Sequence, residues 1–273
     1  MSQQSNIEWT DATWNPVRGC VKVSPGCAHC YAETFAERWR GVKGHPYEQG
    51  FDLRLMPEKL NEPLTWKKPR RVFVNSMSDL FQDGVPDQFL HDVYHIMEQA
   101  RQHTFQVLTK RAARMQQYLE WRYGPDADVP HGRIPSRHIW HGVSVENQPA
   151  ANERVPLLMH TRSAVRFLSV EPLLSPVNLD GLWGYPGSAR SDQLARWPIH
   201  WVIVGGESGP KARGSELGWY RDIVAQCRAA HVPVFVKQLG RYPCDLALHD
   251  RKGGDMTEWP EDLRVREFPC PSS

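Results

Sequence analysis

The 273-residue chain reads as an α/β protein in which parallel strands alternate with helices. Three observations carry that reading. Apolar runs of strand length begin at residues 72, 105, 139, 166, 200 and 233, close to the roughly 30 residues that a strand, helix and return occupy. The runs are continuous and not alternating, as in strands buried on both faces. Helix-period apolar patterns fill several of the gaps. With one earlier strand this makes about seven strands, which suits a full or partial (β/α) barrel of the TIM type better than a sandwich.

In chain order, a short strand is expected near 13–17, around Trp14 and Asn15-Pro16. Residues 28–40 are helical in pattern, with Ala32 and Ala36 four apart and Phe35 and Trp39 likewise. Residues 41–70, rich in Gly, Pro and charge, read as an irregular excursion. It ends in Trp66-Lys67-Lys68-Pro69-Arg70-Arg71, which is either a phosphate-contacting patch or a solvated turn. Strands follow at 72–74, 105–108, 139–143, 166–170, 200–204 and 233–236. Helices are expected over 86–103 (Phe89, Leu90, Val93, Ile96 and Met97 inward), 111–121 (Met115, Tyr118, Leu119) and 219–230 (Tyr220, Ile223, Val224, Cys227). The expected organisation is one domain over 1–273 with insertions near 41–70, 123–138 and 180–198.

A 40% hydrophobic content suffices for a sizeable core, and no apolar run reaches the ~18 residues of a membrane span. The N-terminus lacks a basic stretch followed by an apolar one, so a secretory signal is not expected and a soluble cytoplasmic protein is. The net charge of +2 does not by itself predict a nucleic-acid binder. Eleven tryptophans serve either a core or planar ligands, Trp140, Trp183 and Trp201 being available to stack on a base. Three of the six cysteines are bunched, which points to a reduced chain with a metal site and not to a disulfide framework. Cys227, Cys244 and Cys270 read as packing or surface thiols.

The bunched three lie in GCVKVSPGCAHCYA, residues 19–32, as Cys20, Cys27 and Cys30 with spacing C-x6-C-x2-C. Soft sulfur ligands select zinc, copper(I) or iron–sulfur centres. A closed zinc site wants a fourth ligand, and His29, between two ligating positions, cannot easily reach the same metal. The site therefore reads as open. Gly19 and Gly26 each precede a cysteine and permit a tight path.

Chemistry in parallel α/β sheets and barrels sits at the C-terminal ends of strands. Those ends are polar throughout. Asn75, Ser76, Ser78 and Asp79 follow the run at 72; Thr109, Lys110 and Arg111 the run at 105; Ser144, Glu146 and Asn147 the run at 139. Ser169 and Glu171 end the run at 166, Gly205-Gly206-Glu207 the run at 200, and Lys237-Gln238 the last. In a parallel sheet they would converge on one mouth. Two glycines beside Glu207 would let a ligand approach the backbone, and its carboxylate would accept from an ammonium group.

A cysteine triad after the first strand of a (β/α) barrel resembles the radical S-adenosylmethionine (SAM) superfamily. There three cysteines hold three irons of a [4Fe–4S] cluster and the methionyl group of SAM chelates the fourth. The usual spacing is C-x3-C-x2-C, and the first gap here is longer. The superfamily's Gly-Gly-Glu element follows the second strand, where this chain carries Asn75, Ser76, Ser78 and Asp79; Gly-Gly-Glu stands only at 205–207. A resemblance spanning nearly the whole chain rests on GCVKVSPGCAHCYAE, FVNSMSDLF, VLTKR, GVSVENQ, FLSVEPLL, VIVGGESGP and FVKQLG. These are similar, in order, to the motifs of a phage and bacterial family of unknown function with a three-cysteine motif.

The resemblance implies an enzyme with Cys20, Cys27 and Cys30 as cluster ligands, generating a 5′-deoxyadenosyl radical from SAM. It implies Asn75, Ser76, Ser78, Asp79, Ser144, Glu146, Ser169, Glu171 and Tyr31 as SAM or cluster contacts, Tyr31 serving equally well as core. Lys110, Lys237 and Glu207 are the candidate catalytic residues, the lysines with Arg111 holding a substrate carboxylate or phosphate. The phage setting implies an isomerase or other base-modifying enzyme acting on a nucleotide or DNA base such as a hypermodified thymidine. It also implies a flavodoxin- or ferredoxin-like electron donor and the cytoplasm of a bacterial host. The rival readings are a zinc-dependent hydrolase or nuclease completed by a distant His, and a non-catalytic module with a structural metal.

Overall fold

The computed structural model describes residues 5–124, 135–183, 198–244 and 246–269. Seven strands form one mostly parallel sheet in an α/β arrangement, neighbours in the sheet following chain order apart from a two-stranded side sheet. The chain divides into two compact units, residues 1–141 with 162–164, and residues 142–161 with 165–273.

In the first unit β1 (Ala12–Trp14) does not run on as one strand to residue 17. It stops at Asn15-Pro16, and β2 (Val17–Arg18) leaves to pair antiparallel with β3 (Arg54–Leu55). Pro16 has no N–H to donate to a ladder, and its carbonyl accepts from Met56 N–H at 2.8 Å. The excursion over 41–70 thus exists to bring β3 back. The helix expected over 28–40 resolves into a 3-10 turn, Pro25–Cys27, and a shorter α1 (Tyr31–Glu37) with Cys30 as its N-cap.

β4 (Arg71–Val74) pairs in parallel with β1 on one side and β5 (Thr104–Thr109) on the other. Val72, Val74, Phe105 and Val107 are buried, as continuous apolar runs require. Between them α2 (Asp87–Gln99) buries the face read from its 3.6-residue period. It ends before His103, whose ring is buried and lies 3.1 Å from the Pro63 carbonyl. α3 (Ala112–Tyr123) likewise buries Met115, Tyr118 and Leu119.

β6 (Ile139–Ser144) begins in the first unit and ends in the second. α4 (Gln148–Met159) follows and was not expected from the sequence. Pro149 sits in its first turn, where no N–H is needed, and Asn147 caps it by accepting from Ala150 N–H at 3.0 Å. β7 (Val165–Val170), β8 (Trp201–Gly205) and β9 (Val234–Gln238) pair in parallel, with α5 (Leu217–Ala229) between the last two. The outer edge of β9 is covered by the chain's own end: Val236 donates to Val265 O and Glu267 to Val234 O. Covering an edge prevents it from templating another strand.

Trp140, Trp183 and Trp201 are core residues and not stacking surfaces. Trp201 is fully enclosed and donates from Nε1 to Glu267 O at 2.8 Å. Cys227 is buried and Cys244 exposed. Cys270, and most of the expected insertions at 123–138 and 180–198, lie outside the described residues. Among the described residues no helix is long and apolar enough to cross a membrane.

Candidate functional site

The cysteine loop is anchored at its first residue. Gly19 has φ +77°, and a Cβ there would stand 2.1 Å from Asp52 O. Its N–H donates to Met77 O, and its carbonyl accepts from the buried Gln82 Nε2 at 2.7 Å. These bonds tie the loop to the segment following β4. The Ser24 carbonyl then accepts from Cys27 N–H at 2.9 Å, and the 3-10 turn delivers Cys30 to the start of α1. Gly26 serves by lying inside that turn.

Cys20, Cys27 and Cys30 are free and partly exposed. Cys20 and Cys30 pack against Ala32, Ala36 and Phe51, with Met77 and Tyr47 alongside. Burial pushes both thiols above the usual cysteine range; the Asp79 charge adds to this at Cys20, and the Arg111 guanidinium opposes it. At Cys30 the Glu33 and Ala32 N–H groups and the Lys110 charge oppose burial. A negative charge on Cys27 raises both other thiols, so the three share one electrostatic field with Cys27 as the common neighbour.

Asp79 organises the surrounding cations. Its Oδ1 accepts from Phe81 N–H (2.9 Å) and Thr109 Oγ1 (2.7 Å); its Oδ2 accepts from Lys110 N–H and Arg111 Nη1, both 3.0 Å. Each oxygen therefore already accepts two bonds, which makes Asp79 a positioning group more than a ligand contact. Arg111 Nη1 also lies 3.6 Å from Cys20 Sγ, and Nη2 donates to Val21 O at 2.9 Å. The sequence read Arg111 as a holder of substrate; the fold turns it onto the cysteine loop.

The other candidates of this unit cluster at the end of β4. Asn75 adopts φ 61°, accepts from Val17 N–H through Oδ1, and buries an Nδ2 that meets no hydrogen-bond partner. Ser76 Oγ donates to Asn15 Oδ1, and Ser78 Oγ donates to Val17 O. Tyr31 donates its hydroxyl to Ser76 O and keeps its ring exposed, so it is not core. Asn15 and Gln82 were missed as site residues. Asn15 had a signal, since it precedes a proline where the chain must turn; Gln82 had none.

In the second unit the candidates bind one another. Glu146, fully buried, pairs with Arg154 at 2.8 Å, and Arg154 Nη1 also donates to Ser144 O. Ser169 Oγ donates to Glu171 Oε2 at 3.0 Å, while Lys237 Nζ lies 3.2 Å from Glu171 Oε1. Glu207 accepts from Arg213 through its N–H (2.8 Å), Nε (2.9 Å) and Nη2 (2.6 Å). The glycines before it make room for the protein's own groups, which corrects the expectation that they admit a ligand. A Cβ on Gly205 would meet Glu171 Oε1 at 2.5 Å, and one on Gly206 would meet the Tyr220 hydroxyl and Leu239 O.

Among the described residues no three His, Cys, Asp or Glu side chains are gathered as for a single metal ion. The donor set suits a cluster by its chemistry: three thiols in one field, cations facing two of them, and an unpartnered buried amide, Asn75 Nδ2, at the adjoining strand end. In a cluster each thiolate binds its own iron, so ligands stand wider apart than around one ion. The model of a family described as a protein of unknown function, DUF5131, matches residues 4–259. The chain belongs to that family. The DUF5131 match takes in every candidate from Cys20 to Lys237. No match is found among curated proteins or solved structures.

Proposed function

We propose that this chain is a radical SAM-type enzyme on a full or partial (β/α) barrel, with Cys20, Cys27 and Cys30 holding a [4Fe–4S] cluster. The observation that carries the reading is the pairing of three mutually coupled thiols with two cations, Arg111 at Cys20 and Lys110 at Cys30. Thiolates around a cluster are anionic, and neighbouring cations stabilise them. When bound, such a cluster supplies the electron for reductive cleavage of SAM.

The chain's own residues do the rest. Asp79 fixes Arg111 and the start of the Lys110 loop. Asn75 Nδ2 is the donor available to a SAM oxygen, with the Ser76 and Ser78 hydroxyls and the exposed Tyr31 ring beside it. Lys110 holds a substrate carboxylate or phosphate. In the second unit Lys237 and Glu171, steadied by Ser169, form a pair that a zwitterion can split, its carboxylate going to Lys237 and its ammonium to Glu171. Ser144 and Glu146 act by holding Arg154, and Glu207 by holding Arg213. The substrate is a nucleotide or DNA base, such as a hypermodified thymidine rearranged or otherwise modified. The electron donor is a flavodoxin or ferredoxin, and the setting is the cytoplasm of a bacterial host.

Anaerobic reconstitution tests this directly. It should give about four irons per chain, and dithionite with SAM should yield 5′-deoxyadenosine. Cys20→Ala, Cys27→Ala or Cys30→Ala should abolish iron binding, and Cys227→Ala should not. Zinc without iron in anaerobic preparations overturns the reading. Nucleoside mass spectrometry of phage DNA made with and without active enzyme identifies the base.

A further inference from the structure

Within the first unit, the starts of β4, β5 and β6 lie at the opposite end of the sheet from Asn75, Asp79 and Lys110. The chain enters these strands through residues 66–71, 100–103 and 135–138. Adjacent strands stand about 5 Å apart, so the three loops are neighbours. Hydrogen bonds tie them together: Thr104 N–H donates to Arg70 O at 2.8 Å, Phe105 N–H to His138 O at 2.7 Å, and Gln102 Nε2 to Trp66 O at 3.4 Å.

The charge on this end is one-sided. The loops carry Lys67, Lys68, Arg70, Arg71, Arg101 and Arg137, and no Asp or Glu. The acids that reach them are already matched. Asp11 holds Arg71 at 3.0 Å, Glu62 holds Lys59 at 2.9 Å, and Glu98 holds Arg122 at 2.6 Å. Among the described residues no carboxylate pairs with any of the other five cations. Counting Glu8, the acid just before β1, against those five still leaves a surplus of four positive charges.

The cations face outward. Lys67, Lys68, Arg101 and Arg137 are exposed. Arg101 donates from Nε to Glu98 O at 3.2 Å, which leaves its Nη groups for another acceptor. The Arg70 guanidinium lies 5.3 Å over the Trp66 ring. In the middle, His103 is pushed below the usual histidine range by burial and, further, by the Arg70 and His138 charges.

We propose that this end of the sheet binds the phosphate backbone of a nucleic-acid duplex without reading its sequence. Unneutralised Lys and Arg interleaved with an amide, Gln102, and a hydroxyl, Ser136, are the donor set that meets phosphates. A single strand would need open rings to stack on, and Trp66 is half-buried, with Arg70 over its face and His103 against it at 5.6 Å. A protein partner fits less well, because protein interfaces are depleted in lysine and want an apolar centre, and these loops contribute no exposed large hydrophobic side chain. A lipid surface wants an amphipathic helix with an open apolar face, whereas α2, which leads into the patch, buries that face. In sequence, residues 66–71 read equally as a turn; Arg101 and Arg137, set beside them by the fold, decide between the two. The proposal goes beyond the functional reading above, since the contact stands apart from the cysteines and needs no cluster.

The test is fluorescence anisotropy of a short fluorescein-labelled DNA duplex of mixed sequence, titrated with the full chain over a range of salt. Each lost phosphate contact lowers the salt slope of the binding constant by about 0.9. Lys67→Ala combined with Lys68→Ala should therefore lower it by about 1.8, and Arg137→Ala by about 0.9. Arg38→Ala, an exposed cation on α1's far end, should leave the slope unchanged. All these side chains are exposed, and circular dichroism should show every variant folded. An unchanged slope in the Lys67/Lys68 variant overturns the proposal, as does an equal loss in Arg38→Ala. So does tighter binding to an oligothymidine single strand, to phosphatidylserine vesicles or to polyglutamate than to the duplex. Cys27→Ala, which removes the cluster in the reading above, should bind the duplex as wild type does, so failure of the cluster and failure of the patch are read separately.

Discussion

The strand ends of the two units look alike in sequence and are used differently. The runs are followed by hydroxyl, amide and charged side chains. In the first unit the buried acid, Asp79, gathers N–H groups and a guanidinium and turns them toward Cys20. In the second, Glu146 and Glu207 are each neutralised by an arginine of their own unit, Arg154 and Arg213. One set of charges is aimed at the cysteine loop; the other closes on itself. A polar strand end is therefore a site only where its charge is directed at something besides its own counter-ion.

The comparison breaks most visibly at Asp79. Asp79→Asn removes the anion from a nearly enclosed ion pair and disturbs the three bonds that position Thr109, Lys110 and Arg111. Breaking a buried pair from one side costs about 3–5 kcal/mol, read as a lower urea midpoint. Iron uptake on reconstitution should fall as well, because Arg111 loses its anchor beside Cys20. Glu146→Gln should cost a similar ~3–5 kcal/mol by the same argument and leave iron uptake intact. Glu146→Leu combined with Arg154→Met should recover most of that loss, as apolar replacement of a buried pair does. Iron loss in the Glu146 variant would erase the distinction between the units.

The distinction was not legible in the sequence. Strands β4 to β9 were, within a residue or two, because each is buried and reads as a continuous apolar run. Helices α2, α3 and α5 were legible because their apolar faces repeat at helical period. α4 was not: Pro149 and Pro156 mimic a loop, and nothing in the sequence shows that Pro149 occupies a first turn and Asn147 a cap. The break of the first strand at Pro16 depended on a partner strand nearly forty positions away, Arg54–Leu55. Asp79 was visible as a polar residue after a strand, but its role is set by Thr109, Lys110 and Arg111, a full strand–helix unit later. The bunching of three cysteines within eleven residues, from Cys20 to Cys30, is itself a property of the sequence, and the fold adds the cations that stand beside it.

A weaker effect is a pH dependence shared by both units, since burial lowers His91 and His103 in the first as it does His200 in the second. His200, in the second unit, is partly buried, accepts from Arg166 N–H through Nδ1 at 3.1 Å, and is pushed down to about 4 by burial and by the Arg166 charge. Its folded-state value lies below its unfolded value of about 6.5. The unfolded chain therefore binds the proton first, and stability present above pH ~6.5 is lost as pH falls toward 4. The urea midpoint should drop across that window, and His200→Gln should flatten the drop. An unchanged profile in the variant would assign the loss to other groups.

The smallest change in stability is expected at Lys237, and it carries the sharpest test of the second unit. Lys237 and Glu171 form a partly exposed pair, with side chains 21% and 15% accessible. Such a pair contributes about 1 kcal/mol or less, so Lys237→Met should leave the urea midpoint nearly unchanged. If the pair opens to a zwitterionic ligand, the same variant removes a charged donor from that ligand. Hydrogen bonds to charged groups are worth roughly 1.5–3 kcal/mol, so affinity for a zwitterionic amino acid, measured by equilibrium dialysis with free methionine, should fall about tenfold or more. Stability held and affinity lost would make Lys237 and Glu171 the exception in a unit that otherwise satisfies its own charges. Affinity held would place them with Glu146 and Glu207, as groups that serve the fold.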